Sequence, residues 1–174
     1  MDIIALFSYN VQREQTLQRD GEIPRKPSLT EVAGWARDLR SYMGDQQIQV
    51  MGEGCRGPDK AFFRQAFRDL AATLATMPAI YTQTGKGDQA TAFLHYFTAD
   101  RDFYITEIDR DNEDGPQAFG WVSGPEPEWG YGSIAEWIAS EAELDCHFIP
   151  EPIAGIMGSH QNDSESAHPQ GGGS

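Results

Sequence analysis

Cysteine is nearly missing from this chain: Cys55 and Cys146 are the only two in 174 residues, too few for a disulfide framework. Long apolar runs are missing too, and none approaches the ~18 consecutive apolar residues of a membrane span. The opening Ile3-Ile4-Ala5-Leu6-Phe7 follows Asp2 in place of a basic region and stops at once, which does not read as a secretory leader. The expectation is a reducing, aqueous, cytoplasmic setting with both cysteines as thiols. Basic residues are scarce in one half only. Residues 1–90 balance 11 acids against 11 bases, whereas residues 91–174 set 16 acids against Arg101 and Arg110, so the whole net charge of −14 lies there. Such a field repels nucleic-acid backbones and anionic membranes and attracts basic surfaces. Direct nucleic-acid binding needs a basic stripe with a matching motif, and neither occurs. Acidic excess serves solubility by itself or draws in a basic protein partner; composition permits both.

What is present is enough apolar residue for one folded unit, expected over 1–156. Asp2–Tyr9 reads as a strand and Gln12–Pro27 as a loop. Ser28 or Thr30 caps a helix to about Met43, with Trp35, Leu39 and Tyr42 on one face. Gln47–Met51 alternates as a strand does. Pro58 and Asp59 then open a second helix whose stripe, Phe62, Phe63, Ala66, Phe67, Leu70 and Leu74, runs until Pro78.

Beyond Pro78 the period falls to two. Ala79–Thr82 is expected as a short strand, and Ala92–Phe97 and Asp102–Ile108 as a hairpin turning at Thr98–Arg101. Gln117–Val122 is a further strand, and Ser133 with Glu136 forms a capping box for a short helix. Cys146–Ile149 is expected as a last strand, and 157–174 as an unstructured tail ending in a Gly/Ser run that resembles an added linker. The succession predicts an α+β fold, a mainly antiparallel sheet with two longer helices and one short helix on one face.

Few residues suggest chemistry. Glu107 and Glu128 stand beside Tyr104, Trp129 and Tyr131. They form either a ligand pocket with a general acid/base pair or a structural set, Glu107 pairing across strands and Glu128 accepting turn amides. The run Asp109, Asp111, Glu113, Asp114 resembles a calcium loop only in composition, lacking the twelve-position pattern and flanking helices, and reads as a solvated turn. With Asp100, Asp102, Glu126 and Glu128 it makes the expected interaction set, although a hairpin puts its two turns at opposite ends of a strand. No metal site is expected, since His95, His147, His160 and His168 form no helical pair and Cys146-His147 adjacency is not zinc-ligand spacing. Cys55, with Arg56 beside it, lacks an assured base, for which His95 or His147 is only nominally available. Gly52–Gly57 lacks the lysine and Ser/Thr of a phosphate-binding loop, and no cofactor is expected.

From Ala92 to about Pro152 the chain resembles domain-of-unknown-function family 2958, small proteins encoded largely by plasmids, phages and other mobile elements. The resemblance runs through Phe97-Thr98, Phe103-Tyr104-Ile105-Thr106-Glu107, Phe119-Gly120, Glu128-Trp129-Gly130-Tyr131, Ser133-Ile134-Ala135-Glu136 and Phe148. Family members usually read Trp-Tyr-x-x-Glu where Phe103 begins the motif here, and carry Glu-Arg-Asp where Glu143-Leu144-Asp145 lacks the arginine. The resemblance implies a mobile-element origin. Joined to the charge, it suggests a protein occupying the basic, nucleic-acid-binding surface of a host defence protein, with carboxylates standing where phosphates would stand.

Overall fold

The computed structural model describes residues 25–166, so the strand expected at Asp2–Tyr9, most of the Gln12–Pro27 loop and the final residues 167–174 lie outside the described residues. Helix α1 (Leu29–Asp38) starts at Ser28. The Ser28 Oγ accepts the Glu31 N–H at 3.3 Å, and the Glu31 carboxylate accepts the Ser28 N–H at 2.8 Å. This reciprocal pair satisfies two amides that the helix itself leaves open. A 3-10 turn, Leu39–Ser41, carries the chain on and buries Leu39.

Helix α2 (Asp45–Gly54) occupies the segment whose alternation suggested a strand. Burial explains the difference. Met51 and Cys55, four residues apart, are buried, while Val50 is 57% exposed, so the helical period governs. Gln47 is turned to another use: its Nε2 donates to the Leu144 carbonyl at 2.6 Å and its Oε1 accepts the Leu144 N–H at 3.1 Å. Helix α3 (Lys60–Thr76) buries Ala66, Phe67, Leu70 and Leu74, as its apolar stripe predicts. Arg110 closes its C-terminal end, donating to the carbonyls of Leu74 and Met77. A cation is favoured at that negative end of the helix dipole.

The strands are β1 (Thr91–Ala92), β2 (Leu94–Phe97), β3 (Asp102–Asp109), β4 (Gln117–Ser123), β5 (Glu128–Ser133), β6 (Glu143–Leu144) and β7 (Glu151–Pro152). Five form an antiparallel sheet in the order β5-β4-β3-β2-β6, and β1 pairs with β7 apart from it. Helix α4 (Ile134–Ala139) follows β5; Ser133 Oγ accepts the Glu136 N–H at 3.3 Å, one half of the expected box. Helix α5 (Ile153–Ser166) follows β7. The fold is α+β, and no helix among the described residues is long and apolar enough to cross a membrane.

Helices α1 to α4 cover one sheet face, where Val32, Leu39, Met51, Phe67, Leu70 and Ile134 pack with Leu94, Tyr96, Ile105 and Ile108. The other face was expected to be free of helices. It carries α5, whose Ile153 and Ile156 pack on Ala92, Tyr104 and Trp121. Those two isoleucines anchor a helix that continues to Ser166, where an unstructured tail was expected from 157.

Two expected strands are absent for local reasons. Ala79 makes one isolated bridge with Ile108, after which the Glu107 carboxylate gathers the Tyr81 and Gln83 N–H groups and folds Ala79–Thr82 into a loop. At Cys146–Ile149, Asp145 Oδ1 accepts the His147 N–H at 2.8 Å and turns the chain out of the sheet.

Candidate functional site

Alternation along the strands sorts the motif residues between the two faces. Cross-strand register places His95, Tyr104, Trp121 and Trp129 in one row on the face that α5 covers in part. A second row on that face, past an irregularity between Ile105 and Glu107, holds Glu107, Phe119 and Tyr131. The expected pocket set of Tyr104, Glu107, Trp129 and Tyr131 therefore shares one face. Glu128 does not. It lies opposite Val122, next to Trp129, and so projects from the other face. Glu107 and Glu128 do not converge, and they cannot share one substrate.

Glu107 is only 3% exposed, and both carboxylate oxygens are occupied. Oε2 accepts the Tyr81 N–H at 3.1 Å and Oε1 accepts the Gln83 N–H. The buried Gln83 side chain completes the join: Nε2 donates to the Thr91 and Thr106 carbonyls, and Oε1 accepts the Thr91 N–H, each at 2.9 Å. Glu107 thus fixes the loop after α3 to β3. Backbone amides, not a cross-strand partner, satisfy it.

A group that the sequence did not bring together stands at the other end of the same face. His95 on β2 lies between two aspartates, with Nε2 2.8 Å from Asp102 Oδ1 and Nδ1 3.1 Å from Asp145 Oδ2. Its ring stacks on Tyr104 with centroids 4.5 Å apart and planes 4° from parallel. Ionised carboxylates only accept, so both contacts can be hydrogen bonds at once only when the ring is protonated, and the pair of aspartates favours the imidazolium. Burial pulls the His95 pKa down, but the hydrogen bonds that the ring donates to Asp145 and Asp102, with their negative charges, outweigh it and raise the pKa overall. For Asp145 burial acts upward, and the bonds from His95 and the His147 amide bring it below the usual carboxylate value. The Tyr104 hydroxyl is raised by burial and then by Asp102 and Asp145. The clamp joins β2, β3 and the segment after β6. Asp102 figures in the sequence reading only as an expected interaction residue; Asp145 lies 50 residues from His95 and carries no local signal.

The thiols are poor nucleophiles. Burial raises Cys55, and burial together with the charge of Asp145 pushes Cys146 up to about 11. No group of three or more His, Cys, Asp or Glu among the described residues is arranged to hold a metal ion.

The expected interaction residues fall at two ends of the sheet. Asp100, Glu126 and Glu128 are exposed near the β2–β3 and β4–β5 turns. Phe97 pairs there with both Asp102 and Glu143, which adds Glu143 to that rim. Asp102 spends one oxygen on His95. Asp109, Asp111, Glu113 and Asp114 surround the β3–β4 turn, about 23 Å away along β3 at ~3.3 Å per residue. Arg110, exposed within that turn, donates to the Leu74 and Met77 carbonyls and offsets one of its four carboxylates, leaving the turn net negative.

No family model, no curated protein and no solved structure matches the chain. The resemblance to domain-of-unknown-function family 2958 stands on the quoted residues alone.

Proposed function

We propose that this is an acidic interaction protein, cytoplasmic and of mobile-element origin, that occupies the basic, nucleic-acid-binding surface of a host protein such as a defence factor. One observation carries the reading: carboxylates crowd the turns at both ends of the sheet, and Arg110, one of two lysine or arginine residues in 91–174, is exposed, held on the end of α3, and offsets only one of the four acids around it. Arg101, the other lysine or arginine residue in 91–174, stands in the β2–β3 turn at the other rim. Each rim therefore keeps its negative field toward solvent, where it steers a basic partner and pairs with its arginines. The runner-up, a small-molecule binder or enzyme using Glu107 and Glu128, loses support because those carboxylates project from opposite faces.

The test is capture of partners from nuclease-treated host lysate at low and high salt. One variant neutralises Asp109, Asp111, Glu113 and Asp114 to Asn or Gln, and a second neutralises Asp100, Glu126 and Glu128. Asp102 is left intact because it holds His95. A nucleic-acid-handling protein lost at high salt and with one variant supports the reading; capture indifferent to salt and to both variants rejects it.

A further inference from the structure

The two sheet edges are treated differently. At the β6 edge, the Asp145 N–H bonds to the His95 carbonyl at 2.8 Å, so by alternation Leu144 turns its peptide groups outward. Those groups are stopped by the Gln47 side chain. At the β5 edge, no strand among the described residues lies beyond β5. The Ile134 N–H bonds to the Pro116 carbonyl at 3.2 Å, which marks the even-numbered β5 residues as those bonded to β4. Trp129 and Tyr131 therefore direct their backbone N–H and C=O groups to the side on which no strand of the described residues lies.

Open edges are ordinarily blunted by lysine, proline or a bulge. β5 has none of these, and the whole chain after Arg110 contains no lysine or arginine. The side chains along the edge are aromatic. Phe119 lies 5.8 Å from Trp129 and 4.8 Å from Tyr131 between ring centroids, and Tyr131 is 61% exposed. Gly130 leaves the opposite side bare, whereas Trp137 packs across Gly132. Glu126 and Glu128 are exposed at the start of the strand.

We propose that the β5 edge takes an extended, arginine-bearing segment of a partner protein as an added strand, its guanidinium groups lying over Tyr131 and Trp129. Main-chain pairing supplies affinity in this mode, while alternate side chains supply selectivity. Arginine fits both features present: its plane stacks on the aromatic rings, and its charge suits the acidic rim to which the exposed Glu126 belongs, Glu128 projecting from the other face. A second copy fits poorly, since edge-to-edge pairing would bring together two chains of net charge −14. This inference rests on the basic-partner reading above and names the form the partner takes.

The test uses the full chain and a fluorescent short peptide alternating arginine and threonine, followed by anisotropy at low salt. A second peptide has identical charge but alternate backbone nitrogens methylated, in either phase, so that it cannot donate to β5. The expected result is binding weakened at least about tenfold by methylation in one phase and by Tyr131→Pro, which removes an outward N–H. Tyr131→Ala, which keeps the backbone, is expected to weaken it about two- to fivefold. Equal binding of the methylated peptides and indifference to Tyr131→Ala overturn the edge inference and leave the basic-partner reading standing. A dimer abolished by Tyr131→Pro also overturns it, since the occupant is then a second copy. No binding of any arginine peptide at low salt overturns both.

Discussion

His95→Ala removes the ring that bridges Asp102 and Asp145 and stacks on Tyr104. Each bond to a charged group contributes roughly 1.5–3 kcal/mol when made within the protein. The discount is solvent, because the Asp102 and Asp145 side chains are 34% and 21% exposed and water recovers part of the loss. Losing the stack adds about 0.5–1.5 kcal/mol. The expected cost is ~2–4 kcal/mol in mildly acid solution. Its pH dependence has a definite sign. The His95 pKa is raised from 6.5, so its contribution is complete below 6.5 and fades as pH climbs through the higher folded value. The Asp145 pKa is lowered from 3.8, so that contribution holds above 3.8 and fades as pH falls through the lower folded value. Urea unfolding, followed by tryptophan fluorescence across this range, should show wild type and His95→Ala furthest apart between those limits and converging in alkali. A gap of constant size across the range refutes the imidazolium clamp.

Two further substitutions test the scaffold. Glu107→Gln leaves one carbonyl oxygen for two backbone amides and turns an NH2 group toward one of them; a loss of about 1–3 kcal/mol is expected. Hydrogen exchange should quicken at Tyr81 and Gln83 before the rest of the domain, and unchanged protection there would contradict the anchoring role. Gly120→Ala places a methyl against the Tyr104 carbonyl and 2.9 Å from the Ile105 Cα, both backbone, so ~3 kcal/mol or more should be lost in thermal unfolding.

Legibility in the sequence followed how local each cause was. The α3 stripe, the Ser28 and Ser133 caps and the β2–β3 hairpin depend on neighbours within a few residues, and periodicity located them. Gln47–Met51 misled because a short amphipathic helix with glutamines at every second position imitates a strand; only tertiary burial of Met51 and Cys55 decides it. The candidate site was legible in part. Tyr104, Glu107, Trp129 and Tyr131 do share a face, but the irregularity between Ile105 and Glu107 that sets the facing of Glu107 has no sequence marker. The His95 clamp and the hold of Arg110 on α3 were hidden for the same reason. Their partners are 50 and 33 residues distant, at separations no local pattern reaches.

The central claim is that this protein competes with nucleic acid for a basic surface. The most direct measurement adds it to a captured partner already carrying fluorescent nucleic acid and follows release by anisotropy. The account predicts stoichiometric displacement, weakened as salt rises and lost in whichever rim-neutralised variant fails to capture the partner. A stable ternary complex, with nucleic acid still bound at saturating protein, would contradict it.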